Sequence, residues 1–160
     1  MPLRIMSGGQ TGVDRAALDA ARQAGLPCGG WCPAGRRAED GVIPDRYPLR
    51  ETPTVDYAER THLNVRDSDA TLILARGPLV GGTALTREEA EALARPVLVL
   101  DPTDPKAVRE ARRWMRQQHA IRTLNIAGPR ESTEPGIYAE TLAFLTQFFA
   151  ADALSCSDER

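Results

Sequence analysis

Residues 70–75 read A-T-L-I-L-A, an apolar run with no charge and no break. So short a run is a strand covered on both faces rather than a helix with a solvent side. Residues 96–100, P-V-L-V-L, repeat the pattern. Strands of this kind belong to parallel sheets carrying helices above and below. Shorter apolar runs at 3–6, 26–31 and 123–127 supply the remaining strands. Helical spacing fills the gaps at 13–24, 55–68, 84–94, 105–118 and 135–150. The first helix is defined by Val13, Ala16, Ala17, Ala20, Ala21 and Ala24, with Gly25 as its stop. Its alanine stripe lets it lie close to a sheet. Residues 33–54 have glycines, prolines and charges without periodicity and read as one long loop. The expected fold is α/β, a Rossmann-like doubly wound parallel sheet of about five strands in a single domain.

Composition limits the function classes. The 160 residues carry a net charge of −2, so no field extends over the whole protein to gather nucleic acid. No apolar stretch approaches the ~20 residues of a bilayer span, and the first five residues are too short for a signal-peptide core. Three cysteines make no disulfide framework, so a reducing cytoplasm is expected. Lys106 is the only lysine among twenty basic residues, a bias pointing to a GC-rich bacterial genome.

Two glycine loops carry the main chemical signal. Ser7-Gly8-Gly9-Gln10-Thr11-Gly12 leaves the first strand, and Gly77-Pro78-Leu79-Val80-Gly81-Gly82-Thr83 leaves the third. Each runs into a helix, whose first N–H groups and dipole favour an anion. Glycine admits close backbone approach, and Thr11 and Thr83 add hydroxyls. A phosphorylated, nucleotide-like ligand is the reading that follows. The alternative is that each loop is only a tight strand-to-helix turn. No G-K-[ST] occurs, which excludes a P-loop ATPase.

Further candidates lie outside these loops. Asp14, in the first turn of the first helix, either complements the helix dipole or faces a sugar hydroxyl, a metal or an amino group. Arg15 pairs with a ligand phosphate or with Glu39 or Asp40. Arg36 and Arg37 form a glycine-bounded arginine loop with Glu39 and Asp40, suited to bidentate phosphate contacts if it is not simply solvated. Tyr57, Arg60, Thr61 and Asn64 make one polar helical stripe, read as facing the site. Asp67 and Asp69 flank the third strand, in a turn role as readily as a chemical one. Cys28 and Cys32, with His62 or His119, lack the spacing of a zinc site, so no metal is expected. Trp31 is either core or a surface for stacking a flat heterocycle.

Several segments together resemble a known family. They are S-G-G-Q-T-G-V-D-R (7–15), G-G-W-C-P-x-G-R-R-A-E-D-G (29–41), I-P-x-R-Y-P-L-x-E-T (43–52), Y-x-x-R-T-x-x-N-V (57–65), D-S-D (67–69) and G-G-T-x-L-T (81–86). In these the chain is similar to the putative molybdenum carrier family, a circularly permuted YpsA-related branch of the SLOG-type Rossmann proteins. The resemblance runs from about residue 3 to 149. It implies a fold that binds a nucleotide-type or molybdopterin-type ligand, with the molybdenum cofactor as one candidate. The wider group includes phosphoribohydrolases with P-G-G-x-G-T-x-x-E, whose glutamate takes part in cleaving an N-glycosidic bond. Aligned on that signature, Thr86 stands where the glutamate is expected, and Glu88 and Glu89 lie further along the helix.

The leading expectation is therefore a binding protein, and the resemblance argues against hydrolysis. Its ligand-binding residues are Gly8, Gly9, Gln10, Thr11, Gly12, Asp14, Arg15, Arg36, Arg37, Asn64, Gly81, Gly82, Thr83 and Thr86. One alternative is an enzyme processing a nucleotide derivative, with Asp14, Glu39 or Asp40 as acid or base. A nucleic-acid-binding module is the other. Residues 1–151 are expected to form the nucleotide-binding domain and 152–160 a flexible tail. Leu142, Leu145, Phe148 and Phe149 give the last helix a wide apolar face, part of which is expected to pack on the sheet and the remainder to join a partner subunit in a homo-oligomer.

Overall fold

The computed structural model describes residues 2–118 and 120–150; His119 and the tail expected at 152–160 lie outside the described residues. The chain begins with β1 (Arg4–Met6), α1 (Val13–Gln23), β2 (Cys28–Gly29) and β3 (Trp31–Cys32). Three short strands follow, β4 (Arg37–Ala38), β5 (Gly41–Val42) and β6 (Arg50–Glu51). The second half alternates regularly: α2 (Tyr57–Arg66), β7 (Ala70–Leu74), α3 (Gly81–Ala92), β8 (Val97–Leu100), α4 (Ala107–Gln117), β9 (Thr123–Ala127) and α5 (Ile137–Phe148).

The main sheet has the order β2-β1-β9-β7-β8, and every pair in it is parallel. Taken in chain order these five strands read 2-1-5-3-4. Moving the last strand to the front turns that into 3-2-1-4-5, the ordinary doubly wound order. The fold is thus a Rossmann-like sheet whose first strand has become its last. Crossovers between parallel strands are right-handed. Leftward steps from β1 to β2 and from β8 to β9 therefore put α1 and α4 on one face. Rightward steps from β2 to β7 and from β7 to β8 put α2 and α3 on the other. The packing agrees, with α5 against α1 and α4, and α2 against α3. The direction of winding changes between β9 and β7.

All five residues of β7 are buried, as a strand covered on both faces requires. Ala17, Ala20 and Ala21 bring α1 against β1 and β9, within a core that also holds Leu72, Leu124, Ile126 and Phe144. Phe144, Leu145, Phe148 and Phe149 are spent inside this core, and Leu142 is half-buried. The apolar face expected to recruit a partner is thus consumed within the chain.

The strand expected at 26–31 is split. Gly30, at φ 138°, ends β2 and starts β3, which pairs with β6 in a separate ribbon. A Cβ at Gly30 would stand 2.1 Å from the Ser7 carbonyl oxygen, so only glycine fits this crossing. The long loop expected at 33–54 is an arm with its own small core of Leu18, Cys32, Ala38, Ile43 and Tyr47. Arg36, at φ 55°, organises it by donating to the carbonyl oxygens of Ile43, Pro44, Tyr47 and Leu49. The Tyr47 hydroxyl donates to Asp19 Oδ1 at 2.8 Å, and Tyr138 of α5 donates to Oδ2 of the same carboxylate. One aspartate on α1 therefore ties the arm to the last helix.

A candidate anion-binding crevice at the carboxyl edge

Beyond the carboxyl ends of β1, β9 and β7 lies a crevice of about 390 Å³. It opens where the winding reverses, the usual place for a ligand in an open parallel sheet. Helix starts, loops and the end of β9 build it. The β1–α1 loop supplies Gly8 and Gln10, and the first turn of α1 supplies Asp14; α2 supplies Arg60, Thr61 and Asn64; the start of α3 supplies Val80, Gly81, Gly82, Thr83 and Thr86. From β9 and the loop after it come Asn125, Ala127, Gly128, Pro129, Arg130, Ser132 and Thr133.

Helix starts decide where an anion would sit. At α2, Asp56 accepts from the Ala58 N–H at 2.9 Å; before α4, Asp104 accepts from the Lys106 N–H at 2.9 Å. Glu131 accepts from the N–H groups of Gly136 and Tyr138 at the start of α5. Asp14 sits in the first turn of α1 and accepts from the Gln10 N–H at 3.2 Å. At α3 no carboxylate occupies the first turn, and none accepts from its first N–H groups among the described residues. That terminus faces the crevice with its positive end free. Gly82 has no atom within 4 Å of a Cβ built on it, and its φ is not positive. Neither packing nor backbone conformation requires glycine there. The space beside it is open.

Asp14 is the one carboxylate among the lining residues, with 7% of its surface exposed. Burial pushes its carboxyl from 3.8 up to about 6, against the opposing pull of Arg60, the Gln10 N–H, Arg15 and Arg130. Arg60 lies 3.9 Å away and donates to the Gly8 carbonyl at 2.9 Å. Gln10 is 5% exposed, and its Oε1 accepts from the N–H groups of Glu39 and Thr11. Those bonds fix the amide's orientation and leave Nε2 buried without an acceptor.

Gly8, Gln10, Asp14, Asn64, Gly81, Gly82, Thr83 and Thr86 all line the crevice, whereas Gly9, Thr11, Gly12, Arg15, Arg36 and Arg37 lie outside its lining. Gly9 packs toward Ile43 and Leu49 of the arm. Gly12, at φ 79°, leaves room for the β9 loop: a Cβ there would meet the Pro129 carbonyl at 2.4 Å. Thr11 donates to Glu39 and accepts from the Glu131 N–H. Arg15 forks onto Asp40 at 2.5 and 2.8 Å, which holds the Asp40 carboxyl below its usual range. Glu39 accepts from Ser132 as well as Thr11, so it links the arm to the β9 loop. Within the polar stripe of α2, Arg60, Thr61 and Asn64 reach the crevice; Asn64 also clasps the N–H and C=O of Trp31.

Trp31 belongs to a separate groove of about 220 Å³, lined by Arg4, Arg50 and Thr123 among others. Its Nε1 donates to Asp67 at 2.8 Å, and the Arg50 guanidinium stands 5.5 Å from its ring centre. Asp69 accepts from the N–H groups of Arg122 and Thr123 at the start of β9. No three His, Cys, Asp or Glu side chains converge among the described residues.

Residues 128–133 fall outside the site expected from the sequence. They follow a strand end on the same edge, but Gly128-Pro129-Arg130 has no paired glycines to draw attention. Asn125 is a readable signal, being a polar residue inside an apolar strand. It donates to Thr71 at 3.4 Å on the crevice side of the sheet.

The fold and the crevice define a Rossmann-like protein with its ligand edge assembled from a permuted strand order. The chain belongs to the circularly permuted YpsA SLOG family, whose model matches residues 5–149. A solved structure from Syntrophus aciditrophicus, named as a putative molybdenum carrier protein, is 48% identical to the chain. It superposes with a TM-score of 0.87 and covers 93% of this chain and 96% of its own. Among curated proteins no match is found. No helix of the described residues is long and apolar enough to cross a membrane.

Proposed function

We propose that the protein binds a phosphorylated, nucleotide-like small molecule, with its phosphate at the start of α3. The carrying observation is that α3 has no acidic residue in its first turn, whereas the other four helices of the described residues each have one: Asp14, Glu59, Glu110 and Glu140. The open space at Gly82 gives a phosphate access to those groups. The Thr83 hydroxyl supplies a further donor on the same wall. The molybdenum cofactor, a phosphorylated pterin, falls within this ligand class. The Syntrophus neighbour is named as a putative molybdenum carrier, a name that specifies the metal alone. The compartment this reading takes is a bacterial cytoplasm. A homo-oligomer would have to use a surface other than the apolar face of α5.

Binding is favoured over hydrolysis by what stands at the glutamate position. The Thr86 hydroxyl donates to the Gly82 carbonyl at 2.9 Å, Glu89 is held by His62 at 2.6 Å, and Glu88 is exposed. Neither glutamate lines the crevice. Mass spectrometry of whatever co-purifies tests the reading. A phosphorylated nucleotide or pterin should appear with the wild type and be lost with Gly82→Val, whose branched side chain would fill the approach to α3. Glu88→Gln should leave binding unchanged. Hydrolysis of nucleoside monophosphates that Glu88→Gln abolishes would replace this reading with an enzymatic one.

A further inference from the structure

Three guanidiniums, two of them from the lining of the crevice, surround one aromatic ring. Arg37, Arg60 and Arg130 lie 4.9, 5.2 and 5.4 Å from the Tyr57 ring centre. They come from three separate segments: β4, α2 and the loop after β9. No two of them can be more than about 11 Å apart, a range at which like charges at a protein surface still repel. A tyrosine face attracts each cation but does not cancel the repulsion among them.

The chain compensates this cluster incompletely. Arg60 faces Asp14 at 3.9 Å and Arg130 faces Glu39 at 3.8 Å, both near the outer limit of an ion pair. Those carboxylates are also occupied, Asp14 by the Gln10 N–H and Glu39 by Thr11 and Ser132. Arg37 donates only to the Val55 carbonyl, at 3.4 Å, and among the described residues no carboxylate pairs with it. Three positive groups thus meet two partly committed negative ones. Arg60 and Arg130 line the same crevice as Gly81 and Gly82.

We propose that Arg37, Arg60 and Arg130 around Tyr57 form a second anion subsite, so that the ligand carries two phosphoryl groups. This rests on the reading that a first phosphate sits at α3. One phosphoryl group takes the N–H groups of α3, and the other takes the guanidinium forks, which bind phosphate oxygens in pairs. The Tyr57 ring holds the guanidiniums near one another before the ligand arrives.

Isothermal titration with inorganic phosphate and pyrophosphate, and with AMP and ADP, tests the subsite. Wild type should bind each diphosphate at least ~10-fold more tightly than its monophosphate, the lower bound for one charge-assisted hydrogen bond. Arg37→Ala and Arg130→Ala should each remove most of that advantage and leave monophosphate affinity within about 2-fold. Both side chains are at least one-third exposed, so unchanged thermal unfolding serves as the folding control. Equal affinity for mono- and diphosphates in the wild type would overturn the subsite alone. So would a diphosphate advantage that survives both substitutions. No binding of any of the four probes would instead refute the first-phosphate reading.

Discussion

Replacing Asp14 with asparagine should make the protein more stable above neutral pH, although it removes a charge beside an arginine. In the folded protein burial raises the Asp14 carboxyl from 3.8 to about 6. The folded state therefore binds a proton more readily than the unfolded chain between those values. Stability falls as pH rises through that window, because the ionised carboxylate is less at home in the fold than in water. The two-decade gap corresponds to about 3 kcal/mol, fully felt above pH 6 and absent well below pH 3.8. The asparagine amide would keep an oxygen to accept from the Gln10 N–H and carry no charge. Asp14→Asn should thus gain up to about 3 kcal/mol at pH 8, on the order of 10 °C in Tm for a domain of this size. At pH 5 the gain should shrink to about half of that. Urea denaturation of both proteins at pH 5 and pH 8 measures it. A variant no more stable than wild type at pH 8, or a difference independent of pH, would refute the reasoning.

Arg36→Ala should destabilise the arm by about 3 kcal/mol or more, since four carbonyl oxygens lose a charged donor. Faster limited proteolysis within residues 33–54 is the readout, and unchanged cleavage would contradict that role. Gly30→Ala should leave little folded protein, because its Cβ would collide with the Ser7 carbonyl. A wild-type circular dichroism melt for that variant would count against the register of β2 and β3. Tyr138→Phe should cost about 1 kcal/mol through loss of its bond to Asp19, measured by chemical denaturation. Binding of nucleoside phosphates should be unaffected, as Tyr138 lies outside the crevice lining.

The central strand β7 is legible in the sequence because burial on both faces writes a continuous apolar run. β8 carries the same pattern but is the edge strand, with only Leu100 buried, so the run there does not report burial on both faces. The alanine stripe of α1 is legible for the same reason: small residues recur wherever the helix meets the sheet. The strand order is not, since no local pattern says that β9 inserts between β1 and β7. That insertion brings residues 128–133 into the crevice. The arm is equally hidden, because its strands are two residues long and its shape depends on Arg36 bonding to distant carbonyls. Arg36 and Arg37 are adjacent in sequence yet differ in task, one spent on backbone and one standing over Tyr57. The two glycine pairs also differ. Gly8 and Gly9 are hemmed in by the chain's own side chains, whereas the surroundings of Gly81 and Gly82 are open.

The most direct measurement is a crystal structure grown at saturating AMP. The account expects the phosphate against the N–H groups of Gly81 and Gly82, with the nucleoside lying in the crevice toward Asp14 and Asn125. A nucleotide seated instead in the groove beside Trp31, or a phosphate at another helix start, would contradict it.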